Sequence, residues 1–489
     1  MKKLLFRICL MMLALVMVLG AVACSKADPN GEGQETNTTT TDTVSTAGDS
    51  DNTTPGDTEL KPNFSGNTYG GRDFTILNCA PLKPDVLAVE RLTGKSNSVE
   101  KAIYERNTTV EEQFDINFVF LHDSEKNVKD LLDTSALSEV DTYDFIGNQG
   151  RTLMSSVFRG SLVDWNDIPT INLDAPWWSQ GARKSLGTPG GKVFVMNGDL
   201  SWGYYGGAGG MYFNKDMIEN AHLTSPYTYF EENNWTFETF FQLVKGVADS
   251  VSGDGRSGYV SQKNRGASIA YTLTGLKALE LQPDGRYIVE IKNQRAYDAM
   301  DIFSSFVFES GYCIYEEDLS SARNMFKGEV VAFFDDNIYS VASFSDVNFG
   351  FVLWPKYDND VENYVAHVGS GATTFAIPFN TSEDNRKCIG DVVEGLAYYG
   401  SKTVVPTYVD NFISYQKAPD QYTAQMFDVL KKNIDFNLAD YLNPASLGNI
   451  GTLMNGKPDQ YSSLAVTIEK LTANGQLEVA LQPWYNLDK

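Results

Sequence analysis

Between Gly190 and Lys215 the chain reads GGKVFVMNGDLSWGYYGGAGGMYFNK, a stretch that few folds can accommodate. A tight Gly190-Gly191 turn leads into Val193-Phe194-Val195-Met196, a short apolar run that predicts a buried strand. Trp202, Tyr204 and Tyr205 are then interleaved with Gly203, Gly206, Gly207, Gly209 and Gly210. Glycine removes the side chain and frees the backbone, so the rings are expected beside open space in a flexible loop. Met211-Tyr212-Phe213 predicts a second strand and Asn214-Lys215-Asp216 the start of a helix. Strand, aromatic loop and strand suit a chain crossing between two lobes, with a ligand bound at the crossing.

GKVFVMNGD followed by YFNKDMIE resembles the first crossover of the extracellular solute-binding proteins of family 1, the sugar-binding receptors of ABC importers. MFKGEVVAFF, FGFVLWPKYD and FAIP are similar to the second and third crossovers of that family. Thr403 to Phe412, with Met426-Phe427-Asp428 after it, looks like its C-terminal region. The resemblance covers nearly all of residues 72–489. It implies an α/β, two-lobed periplasmic-binding-protein-like fold of type II, each lobe a mainly parallel sheet flanked by helices. Crossovers are expected near residues 195–213, 334–340 and 371–378.

The pattern of elements agrees with that architecture. Asp73 to Leu77, Ile116 to Leu121 and Tyr143 to Ile146 read as strands. Between the first two, Asn97 starts a helix with Glu100 at the capping-box spacing, carrying Val99, Ile103, Val110 and Phe114 on one face. Alternating strands and helices imply parallel sheets with right-handed crossovers. Ligands bind beyond the carboxyl ends of such strands, which singles out Asn78 to Lys83 and the Asn148-Gln149-Gly150-Arg151 turn. Further on, Thr236 caps a helix, Asn293 to Glu309 and Leu319 to Phe326 are helical, and VVAFF, FGFVL and TTFAIP are strands. From Asn385 the chain is mostly helical.

The ends of the chain speak to location. Lys2, Lys3 and Arg7 precede an apolar run from Ile8 to Ala23, a secretory leader. Gly20-Ala21-Val22-Ala23-Cys24 resembles a bacterial lipobox, which makes Cys24 a lipidated N-terminus on the extracellular face of the cell membrane. Ser25 to Gly71 is rich in Thr, Asp, Gly, Ser, Asn and Pro and is expected to be a disordered tether. The expected organisation is therefore a signal peptide (1–23), a tether (24–71), an N-terminal lobe (72–200 plus 336–374) and a C-terminal lobe (201–335 plus 375–489). Of the five cysteines, Cys79, Cys313 and Cys388 follow Cys24, and an odd, widely spaced set is no disulfide framework.

The 489 residues carry a net charge of −24, which argues against a nucleic-acid partner, since phosphate binding needs a basic patch. Leu92-Thr93-Gly94-Lys95-Ser96 has Val89 where a phosphate loop requires glycine. Asp249 to Gly255 puts Val251 and Gly253 where a calcium loop requires Asp or Asn. Three histidines and no HExxH or G-x-S-x-G leave zinc and lipase-type hydrolysis without support. No metal or cofactor is expected, and no catalytic residue.

A sugar ring offers an apolar C–H face to Trp and Tyr and hydroxyls to polar side chains. Trp202, Tyr204 and Tyr205 lie where the family's crossover meets ligand, with hinge packing as the alternative. Asn148, Gln149 and Arg151 match by position the family loop that supplies polar contacts; the alternative is turn chemistry. Asp335 and Asn337 end a strand at the second crossover. Trp177 and Trp178 form a stacking platform or a structural plug, while Trp165 and Trp354 read as packing. The function expected is a monomeric receptor that captures an oligosaccharide and passes it to a permease. The alternatives are a surface-tethered carbohydrate-active enzyme and a binder of a peptide or polyamine.

Overall fold

The computed structural model describes Leu60–Lys489, apart from residues 80–86, 88, 90, 263–270, 380–381, 416–419, 450–464 and 467. The leader, Cys24, most of the expected tether and most of the Asn78–Lys83 turn lie outside the described residues. Residues 60–489 form one compact unit that contains two main sheets.

The first sheet is built from β1 (Arg72–Cys79), β2 (Ile116–Asp123) and β3 (Phe145–Gln149), with a strand from the far end of the chain, Thr373–Ala376, on its edge. β1 runs parallel to both β2 and β3, and Thr373–Ala376 pairs antiparallel with β3. Helix α1 (Ser98–Phe114) makes the crossover from β1 to β2. Its capping box forms as expected: Asn97 Oδ1 accepts from Glu100 N and Glu100 Oε2 from Asn97 N, both at 2.9 Å. The apolar face of α1 packs against the helices Glu383–Lys402 and Val404–Ser414, which therefore belong to the first sheet.

The second sheet contains β4 (Gly209–Asn214), β5 (Ser257–Gln262), β6 (Cys313–Glu316), β7 (Val331–Asn337) and β8 (Phe349–Val352) in the order β8-β4-β7-β5-β6. The β5–β6 and β5–β7 pairs are parallel, and the two pairs made by β4 are antiparallel. Helices Phe237–Ser250, Gln294–Phe308 and Leu319–Lys327 flank it, close to their expected bounds. Two lobes with mixed α/β layers are the periplasmic-binding-protein architecture.

Several local expectations change. Val193 to Met196 joins no ladder; only Met196 bridges, to Phe375. The Gly-rich loop is one helical turn, Gly203–Gly207. Between 334 and 340 the chain does not cross, because β7 and β8 share a sheet. It returns to the first sheet only between Val352 and Thr373, so residues 349–352 sit with the second lobe and the helices from 383 to 414 with the first. The last residues of the expected tether are also fixed. Phe64 meets Phe114 edge-on at 5.1 Å, and Tyr69 donates its hydroxyl to Asp391 at 2.7 Å. Ser65 N also donates to Asp391, at 2.9 Å, and Tyr69 N and Gly71 N donate to Phe114 O and Asp115 O, so side chains and backbone together hold that strap to the core. Cys79, Cys313 and Cys388 are unbridged thiols.

Candidate ligand-binding site

β7 ends in Asp335-Asp336-Asn337 beside the start of β4, with Met211 opposite Asp335 and Gly209 opposite Asn337. There a cavity of about 350 Å³ opens between these strands and the 367–372 segment that leads back to the first sheet. Its polar walls are Asp335, Asp336, Asn337, Thr272 and His367; its rings are Trp354 and Tyr339; its glycines include Gly207, Gly209, Gly210, Gly369 and Gly371. Strand alternation puts successive residues on opposite faces, so the two aspartates are held differently. Tyr259 donates its hydroxyl to Asp335 Oδ1 at 2.7 Å. Asp336 takes Arg323 Nε at 2.6 Å and the Ser340 hydroxyl, and folds back on the Asn337 N–H at 2.7 Å. His367 Nε2 lies 2.9 Å from Asp440 Oδ2, with the Tyr271 ring edge-on.

The glycines set how closely the walls approach. A Cβ on Gly210 would stand 2.2 Å from the Phe351 ring, and one on Gly207 3.0 Å from Ala372. Only residues without a side chain let these strands meet there. Arg151 lies next to the 367–372 segment: its backbone N–H donates to Ser370 O at 3.2 Å, and its Nη1 is 3.7 Å from where a Gly371 Cβ would be. Glu125 sits 3.6 Å from its Nη2.

The expected site residues thus divide. Asp335 and Asn337 line the cavity; Arg151 does not, though it lies near Gly371, which does. Gln149 is the residue before helix Gly150–Val157 and pairs with Thr373. Asn148 is fully buried, its amide donating to Glu125 O at 3.1 Å. Tyr204 and Tyr205, expected beside open space, are instead packed inside at 4% and 0% exposure. Their hydroxyls donate to Asp199 Oδ1 at 3.2 and 2.7 Å, and Lys431 approaches the other oxygen at 3.2 Å. Burial pushes the Asp199 carboxyl up, and these partners counter it. Trp177 and Trp178 are also interior, both indoles bonded to Glu394, which makes them a plug. Trp202 is 6% exposed and stacks on Tyr408 at 4.4 Å. The physical reason is common to all: helices Glu383–Lys402, Val404–Ser414 and Gln421–Asn433, distant in sequence, cover this aromatic segment. Sequence reasoning missed Thr272, Asp336, Tyr339 and His367, and it read Trp354 as packing although that ring lines the cavity. Only Asp336, next to two residues it did select, carried a usable signal. In the loop once compared with a calcium site, Asp254 bonds Arg256; among the described residues no His, Cys, Asp and Glu group could hold a metal ion.

The fold is that of the two-lobed, periplasmic-binding-protein-like class. Within that class the cyclic alpha-maltosyl-1,6-maltose binding protein from Arthrobacter globiformis is similar in structure, with a TM-score of 0.58 at 13% identity over 85% of this chain and 100% of that one. The galacto-N-biose-/lacto-N-biose I-binding protein of the ABC transporter from Bifidobacterium longum, solved with lacto-N-biose, gives 0.57 at 13% identity over 84% and 99%. A cyclo/maltodextrin-binding protein complexed with maltotetraose gives 0.56 at 14% over 83% and 100%. No protein-family sequence model matches the chain, and no curated protein sequence matches it.

Proposed function

We propose that the chain is the substrate-binding lipoprotein of an ABC importer, which captures a carbohydrate between its lobes and performs no chemistry on it. The observation that carries this reading is the cavity at the crossing between the two sheets, in a fold whose solved relatives are sugar-binding proteins. Asp335 and Asn337 take the ligand's hydroxyls, and Arg151 closes over it from the first lobe. A ligand touching both lobes favours the closed form by its differential affinity for that form. A permease then recognises the closed receptor. Cys24 carries the lipid anchor, and the segment after it gives the head its reach above the membrane.

A thermal-shift screen over sugars, amino acids, peptides and polyamines tests the ligand class, because a ligand that binds only the native state raises Tm. A rise with an oligosaccharide, recovered uncut, supports the reading. A rise with polyamines alone, or cleavage of the sugar, replaces it with the corresponding alternative.

A further inference from the structure

Outside the cleft, within the second lobe, a cavity of about 730 Å³ opens between helices Phe237–Ser250 and Gln294–Phe308. It shares no residue with the Asp335–Asn337 cavity. Ring contacts give the direction of the two helices. Phe237 meets Phe303 at 6.2 Å and Phe306 at 5.4 Å; one turn on, Phe241 meets Phe306 at 5.6 Å and Tyr312 at 6.1 Å. The helices therefore run side by side in the same sense, with a groove between them. Phe237, Phe241 and Phe306 form its floor, Tyr357 lines one end, and Ile302 stands on the lip at 44% exposure. An apolar floor rimmed by polar residues marks a surface that another element covers.

The rim is acidic. Glu238, Asp301, Glu309 and Asp358 all line the groove. Asp358 is held by Arg295, and none of the other three forms an ion pair among the described residues. Asp301, Ser305 and Glu309 recur every fourth residue and so share one helix face. At about 1.5 Å per residue, Asp301 and Glu309 are about 12 Å apart along the axis. Asp358, against Arg295 in the first turn, extends the row by about 9 Å. The chain's own cations already mark both ends: the Arg295 guanidinium lies over the Tyr357 ring at 5.4 Å, and Lys245 Nζ over Tyr312 at 5.3 Å. A site for one small cation gathers its rings and carboxylates about a point, whereas these are strung along about 20 Å. A second copy of the chain, with its net charge of −24, is repelled.

We propose that this groove docks a cationic amphipathic helix of a partner protein. Its apolar ridge lies on Phe237, Phe241, Phe306 and Ile302, the mode in which a helix fills a groove between two others. Its lysines or arginines, about seven residues or two turns apart, meet Asp301 and Glu309. None of the lining residues comes from the first sheet or its helices. The inference therefore stands apart from the carbohydrate reading and from closure of the cleft.

The probe is a fluorescein-labelled helical peptide of about five turns, with leucines on one face and lysines two turns apart beside them. Its anisotropy is followed as the full chain is added. Saturable binding is expected, about tenfold tighter than for a scrambled peptide of the same composition, and absent when glutamates replace the lysines. Asp301→Asn with Glu309→Gln, or Ile302→Ser alone, is expected to weaken it about tenfold; all three side chains are exposed, so the fold is kept. Glu383→Gln with Asp384→Asn, an exposed acidic pair on the first lobe, is expected to change nothing. Equal loss in that remote pair would show general attraction to an acidic protein and overturn the groove. No binding, equal binding of the scrambled peptide, or unchanged affinity in the Ile302 variant also overturns it. Displacement of the peptide by an equal concentration of spermine or benzyltrimethylammonium would overturn the helix in favour of a small cation.

Discussion

Trp178 donates its indole N–H to Glu394 at 3.0 Å, and Trp177 donates to the other oxygen of the same carboxylate at 3.0 Å. One fully buried acid on helix Glu383–Lys402 thus pins two adjacent tryptophans more than two hundred residues earlier. Desolvation pushes this carboxyl from its ordinary 4.5 up to about 7, against the lowering effect of the two indoles and of the Asn172 N–H.

That shift makes stability depend on pH. The folded state holds the proton more tightly than the unfolded one, so the contribution is complete below pH 4.5 and is lost as pH rises to about 7. At 1.36 kcal/mol per pKa unit the loss is on the order of 3 kcal/mol. Denaturant titrations at a series of pH values should show stability falling across that window. Glu394→Gln should flatten the profile while lowering stability at acid pH, because an amide cannot accept from two indoles on separate oxygens. A wild-type profile with the same slope as the variant would refute this assignment.

Tyr205 gives a sharp contrast between packing and binding. Tyr205→Phe removes a donor from buried Asp199 and should cost about 1–3 kcal/mol. It should leave ligand affinity in calorimetry unchanged, since the ring never reaches the cavity. A tenfold loss of affinity at unchanged stability would return Tyr205 to the binding surface.

Asp335→Asn keeps the volume of the side chain and removes its charge. With the ligand from the thermal-shift screen, we expect Kd to weaken at least tenfold, and Asn337→Ala to do the same. Each step of ten corresponds to about 1.4 kcal/mol. Wild-type affinity in both variants would move the ligand elsewhere.

Gly210→Ala tests the close approach of the strands. The new Cβ would meet the Phe351 ring at 2.2 Å and Val352 O at 2.9 Å. Overpacking of this kind costs about 1–3 kcal/mol, which should lower the denaturation midpoint at constant m value. A variant as stable as the parent would show that the strands separate freely.

Cys24→Ser should abolish incorporation of labelled lipid and release the protein from the membrane fraction. Retention of the label would place the anchor at another residue.

How much of this was legible in the chain follows from the range of each interaction. Local rules sufficed for the capping box at Asn97 and Glu100, for the helices at 237, 294 and 319, and for the strands around Thr75, Phe334 and Phe351, because caps and periodicity act within a few residues. The strand-end carboxylates of the cavity were legible for a similar reason: ligand sites follow the carboxyl ends of strands. Tyr204 and Tyr205 were misjudged because glycine content reports only what the backbone is free to do. What covers that backbone is decided by helices two hundred residues later, through Tyr408, Phe427 and Lys431. The same long range hid His367, whose place depends on the return of the chain to the first sheet. The amino-acid sequence by itself determined most of the elements, which rest on local hydrophobic pattern, and its crossover segments carried the two-lobed plan through their resemblance to a known family. Only the tertiary structure decided which rings face a cavity and which face the core, because burial is set by what packs on a residue and not by its neighbours in the chain.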